Sequence, residues 1–154
     1  MNKKISILVA YLMRKYKTND PGVLADYLNV TIIRMPLEDM VAGFYKMIKR
    51  RKYIFLNTDI DDENFMRVVS AHELGHAIMH PKENCAFLRN HTFFLTSRIE
   101  IEANTFAAYL LISDQDVNEY MVQQQYTTDM MTRLLGYKKE LIELRIKQKM
   151  QGVN

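Results

Sequence analysis

VVSAHELGHAIMH, residues 68–80, sets two histidines and a glutamate into an otherwise apolar stretch. Phe65, Val69, His72 and His76 recur at helical spacing, so both histidines lie on the stripe of a helix that points inward. Four residues make a little more than one turn, which stacks His72 and His76 at adjacent levels of one face. Two buried imidazoles without partners would be costly. One ion shared between them removes that cost, and neutral imidazole is a good zinc ligand. Glu73 is rotated about a quarter turn from His72, where it flanks a water beside the metal rather than the metal itself. A carboxylate so placed takes the proton of that water, which is the zinc-peptidase reading of H-E-x-x-H.

A metal-dependent hydrolase of this type needs a third protein ligand. The downstream segment RIEIEANTFAAYLLIS, 98–113, is apolar almost all round and reads as a buried helix. Glu100 and Asn104 share one of its faces with Ala103 and Ala107. With Gly75 on the first helix, these small residues allow the two backbones to come close. Glu102 lies on roughly the opposite side from Glu100. We take Glu100 as the ligand, because Asn104 on the same face then offers its amide oxygen to a ligand histidine. Glu102 is expected to be a surface or loop-contacting charge.

The remaining segments fall around these two helices. The chain has 154 residues, 48% hydrophobic and 25% charged, which fits one soluble domain over residues 1–154. Its net charge of +3 is too small to imply a nucleic-acid or membrane partner through a global field. The single cysteine, Cys85, rules out an intramolecular disulfide and favours a reducing compartment. MNKKISILVAYLM imitates a secretory leader, but Arg14, Lys15 and Lys17 follow at once with no cleavage site. Ile5, Leu8, Leu12 and Tyr16 instead mark one face of a packed helix. Asp20-Pro21 starts a second helix through Leu28. VTIIRM (30–35), GFYKMI (43–48) and YIFLN (53–57) read as strands. Capping groups from Thr58 to Glu63 open the HELGH helix and Pro81 closes it. A loop is expected over 82–97, and further helices follow Ser113, divided by Gly136. The fold class is α+β: a small, mostly antiparallel three-stranded sheet on a helical core, with a C-terminal helical extension.

HELGHAIMH followed by EIEANTFAAYLL resembles the ImmA/IrrE family of zinc metallopeptidases, of the gluzincin type. DPGVLADYLNVTI, GFYKMIKRRKYIFLN and the C-terminal helices occur in the order expected of its small mobile-element members, so the likeness covers most of the chain. It implies a zincin core over 1–112 and C-terminal helices over 113–154. It also implies Zn2+ held by His72, His76 and Glu100, with Glu73 as catalytic base. Ser113 stands where the family often has proline, a departure that affects only the start of the next helix. The resemblance further implies a cytoplasmic endopeptidase that cleaves a helix-turn-helix, Xre-like repressor and so relieves repression of a phage-like or mobile element. The alternative is an anti-repressor that sequesters its partner around a structural or vestigial zinc.

Other residues read as structural. His80 stands about 12 Å along the helix from His72, too far to share one ion. His91, Tyr45 and Tyr109 are weaker candidates for stabilising an oxyanion, and Cys85 for capping the metal. KMIKRRK, 46–52, reads as a solvated hairpin tip, because base reading needs more than local charge; no direct nucleic-acid binding is expected. YIFLN is the expected free sheet edge for an added substrate strand. YKKELIELRIKQK, 137–149, reads as an exposed amphipathic helix.

Overall fold

The computed structural model describes residues 2–90 and 97–151, the side chain of Cys85 excepted. His91 therefore lies outside the described residues, as does the Cys85 thiol. Helix α1 (Asn2–Tyr16) buries Ile5, Val9 and Leu12 and packs on α4 (Arg98–Leu111), as its apolar stripe requires. In α2 (Pro21–Tyr27) the Asp20 carboxylate accepts from Val23 N–H at 2.9 Å and so satisfies one free amide of the first turn. The same carboxylate meets Arg67 at 3.0 Å, which ties α2 to the helix that carries the histidines.

Among the described residues the sheet has four strands, in the order β1 (Val30–Met35), β3 (Arg51–Asn57), β2 (Val41–Ile48), β4 (Cys85–Leu88). Two expectations are corrected here. β1 runs parallel to β3, so the sheet is mixed, and four residues of the expected 82–97 loop form β4. A four-residue strand is too short for an alternating pattern to stand out, and its place comes from pairing with β2. Consequently β3, which contains YIFLN, is central and offers no free edge. Between β2 and β4 the register slips at Val41/Gly43, a bulge that bends the strand beside the site. β2 and β3 are joined by Lys49 and Arg50 alone, the expected hairpin tip, with φ of 47° and 66°.

Helix α3 (Glu63–Met79) begins later than the first capping candidates suggest, because Asp62 supplies the cap to Phe65 N–H at 2.9 Å. It is enclosed on two sides, by the sheet and by α4, so residues Val68 to Ala77 are all buried. Both contacts depend on glycine. A Cβ at Gly75 would stand 3.2 Å from the Phe106 Cβ and 3.3 Å from the Ala103 Cα. At Gly43 it would meet Val69 Cγ1 at 2.7 Å and the Phe55 carbonyl oxygen at 2.9 Å. Gly43→Ala should therefore destabilise the protein by about 1–3 kcal/mol through overpacking, measured as a lower urea midpoint at unchanged slope.

Beyond α4 come a capped turn, α5 (Asp114–Val117), a π-helical stretch over Asn118–Gln123, then α6 (Thr128–Leu135) and α7 (Lys139–Gln151). Gly136 ends α6 in the left-handed conformation, φ 73°. α7 departs from the exposed helix read from its charges, since Leu141, Ile142, Arg145 and Gln148 are buried. The Arg145 guanidinium donates to the Ile112 carbonyl at 2.8 Å and to Asp114 at 2.6 Å, and lies 4.3 Å above the Tyr109 ring. Residues 30 or more positions away thus satisfy a charge that local patterning assigns to solvent.

Candidate metal centre

α3 and α4 lie close enough for three donors to converge. The Nε2 atoms of His72 and His76 are 3.0 Å apart, and Glu100 places its two carboxylate oxygens 3.2 and 3.3 Å from them. Two donors each about 2.05 Å from one tetrahedral ion stand about 3.3 Å apart, so these spacings fit coordination of a single metal ion. Both histidines are buried and Glu100 is partly open, which leaves one side of the cluster accessible.

The hydrogen-bond pattern fixes which nitrogens face the cluster. Asn104 Oδ1 lies 2.8 Å from His72 Nδ1 and can only accept, so His72 carries a proton on Nδ1 and Nε2 is the nitrogen that faces the cluster. The Phe87 ring of β4 stands edge-on to His72, centroids 4.8 Å apart, and braces the imidazole from the sheet side. His76 Nδ1 has no partner among the described residues. Burial tends to raise the Glu100 pKa, but the two imidazoles outweigh it and hold the carboxyl well below the usual range, so it is an anion at neutral pH. Asn104→Ala should weaken metal binding about 10–100-fold by freeing the His72 ring, measured by titration against a competing chelator.

Glu73, the residue that follows His72, is fully buried. Burial first, then the Glu100 charge, pushes its pKa well above the carboxylate range, offset in part by the backbone N–H groups of Tyr45 and Phe87. Those amides do not complete well-formed hydrogen bonds to either oxygen, so the carboxylate keeps acceptor capacity. Such a group is a stronger proton acceptor than an ordinary surface glutamate.

The other described side chains singled out from the sequence are not among the three converging donors. His80 caps the end of α3 and pairs with Glu102 at 3.0 Å. Glu102, expected at the surface, is buried and also takes Arg98 at 2.9 Å, because the C-terminus of α3 packs against the start of α4. Tyr45 is buried with its hydroxyl donating to the Pro81 carbonyl at 2.9 Å, and Tyr109 underlies Arg145, so both are occupied structurally. Among the described residues, Phe87 is a neighbour of the cluster that the sequence did not single out; its signal was the short apolar run in CAFL.

Comparison with known proteins places this geometry. The profile of the IrrE N-terminal-like domain, peptidase family M78, matches residues 25–147, most of the chain. The chain belongs to this family. Immunity region protein 2 of Bacillus phage phi105 is 39% identical over 141 residues, 92% of this chain and 88% of that protein. Metallopeptidase ImmA of Bacillus subtilis (strain 168) is 27% identical over 120 residues, 77% of this chain and 69% of that protein. A metal-dependent peptidase site is therefore the frame into which the three convergent donors fit. No helix among the described residues is long and apolar enough to cross a membrane.

Proposed function

We propose that the protein is a zinc-dependent endopeptidase that cleaves a helix-turn-helix, Xre-like repressor at one site and thereby relieves repression of a phage-like or mobile element. The observation that carries this reading is the approach of His72, His76 and Glu100 to tetrahedral donor spacing, with Glu73 buried beside them. Two imidazoles and a carboxylate are the donor set that suits zinc. When bound there, the ion supplies a Lewis acid that polarises a carbonyl and acidifies water. His72 and His76 hold their lone pairs toward it, with Asn104 fixing the tautomer of the first. Glu73 accepts the proton of the attacking water and delivers it to the leaving amine.

A peptide substrate has a place to lie. Among the described residues β4 is the outermost strand on the side of the sheet nearest His72, and its Phe87 touches that imidazole. Strand addition along β4 brings an extended segment past the cluster. We take the repressor as substrate and the cytoplasm as location from the family resemblance; the names of the two relatives, an immunity region protein and a metallopeptidase, support the first, and the single cysteine supports the second.

The test is incubation of zinc-loaded protein with the helix-turn-helix repressor encoded beside it. Two fragments from one cleavage site are expected by mass spectrometry, in amounts that grow with time. Derepression without fragments, at one-to-one stoichiometry, would instead identify a sequestering anti-repressor with a structural or vestigial metal.

A further inference from the structure

The sheet face turned away from α3 takes no part in the metal centre. Tyr45, Ile54 and Leu56 are buried toward the helix, so strand alternation sends Phe44, Lys46, Arg51, Tyr53 and Phe55 to the other side. The register sets Phe44 opposite Phe55 and Lys46 opposite Tyr53. The rings of Phe44 and Phe55 stack at 4.6 Å, and Tyr53 follows 6.3 Å from Phe55. All three are half-buried and none joins the hydrophobic core.

Charge on this face has one sign. None of the four strands contains an aspartate or glutamate, whereas Lys46, Lys49, Arg50 and Arg51 are all exposed at the hairpin end. Of the acids nearest the strands along the chain, Glu38, Asp39 and Asp59 lie at the end opposite the turn, and Glu83, two residues before β4, is the one acid toward the turn end. Lys49 and Arg50 occupy two left-handed positions where asparagine and glycine are favoured, so the turn keeps two cations at a conformational cost.

From this juxtaposition we propose that the outer sheet face binds single-stranded nucleic acid, with bases stacked on Tyr53, Phe55 and Phe44 and phosphates on Lys46, Arg51 and the turn. Basic charge alone does not select this ligand. The row of rings does, since every unpaired base has a π-face to lay on an aromatic side chain and a duplex hides its own. An acidic polypeptide would satisfy the cations and leave the rings without planar partners. The site is independent of the peptidase reading, because it uses no residue of the metal centre.

Fluorescence anisotropy of a labelled oligothymidylate of about 12 nucleotides tests this with the full chain. If four cations meet phosphates, affinity should fall about 50-fold between about 50 and 200 mM salt. Lys49→Asn/Arg50→Gly gives the turn its favoured residues, so the fold is kept while binding weakens about tenfold. Phe55→Leu retains apolar volume and should also weaken binding about tenfold, with the salt dependence unchanged. Circular dichroism confirms that each variant is folded. Three results would overturn the proposal: no binding at the lower salt, duplex DNA bound as tightly as the single strand, or polyglutamate bound as tightly as the oligonucleotide. The second would leave charge alone, and the third would make the face a dock for an acidic protein.

Discussion

Glu73→Gln should lower the rate of repressor cleavage about 10²–10⁴-fold while metal content stays at the wild-type level. The substitution keeps the shape of a fully buried side chain and removes only its capacity to take a proton. Metal content should not change, because Glu73 is not among the donors that converge on the cluster. The variant should also differ in stability, in a direction that separates it from simple damage. In the metal-free protein, burial and the Glu100 charge raise the folded-state pKa of Glu73 above its unfolded value. The folded state therefore holds a proton that the unfolded state releases first, and stability falls as pH rises from the unfolded pKa toward the folded one. A glutamine has no such titration, so Glu73→Gln should match or exceed wild-type stability at neutral pH and lose that part of the slope. Urea denaturation across pH, kcat/KM on the repressor, and elemental analysis check the three parts. Undiminished cleavage by the variant would remove Glu73 from the chemistry.

The same geometry explains why this part of the molecule was legible in sequence. His72, His76, Glu100 and Asn104 all lie on helices, where spacing fixes direction, and small residues at Gly75, Ala103 and Ala107 announce that two helices approach closely. What the sequence did not disclose depends on partners far along the chain. The parallel pairing of β1 with β3 is a choice among sheet edges that no local pattern encodes. β4 has four residues and exists as a strand through its ladder to β2. Glu102 and Arg145 look like surface charges from their neighbours in sequence, yet each is buried. Arg98 neutralises the first, with the His80 ring nitrogen 3.0 Å away; Asp114 pairs with the second, which also rests on the Ile112 carbonyl and the Tyr109 ring. Charge predicts exposure only until a counter-charge is folded beside it.

Metal removal should produce the largest change in stability. α3 and α4 supply all three donors, and without an ion two imidazole nitrogens and a carboxylate crowd together at 3.0–3.3 Å. An ion that binds only the folded state adds about 4 kcal/mol when its free concentration is about 1,000 times its Kd. For a chain of 154 residues each kcal/mol shifts Tm by about 2–4 °C, so excess chelator should lower Tm by about 8–16 °C. His76→Ala removes a donor that is buried against α4 and whose outer nitrogen has no partner among the described residues, so little besides the metal contact is lost at that atom. In that variant chelator should leave Tm nearly unchanged and zinc occupancy should be close to nil. Calorimetry with and without chelator, on both proteins, reads the difference directly. Full zinc occupancy in His76→Ala would mean that the ion sits elsewhere, and the convergence of these three side chains would then need another explanation. A chelator effect equal in both proteins would point to the same conclusion, since linkage to a site that His76 does not build cannot be abolished by removing it.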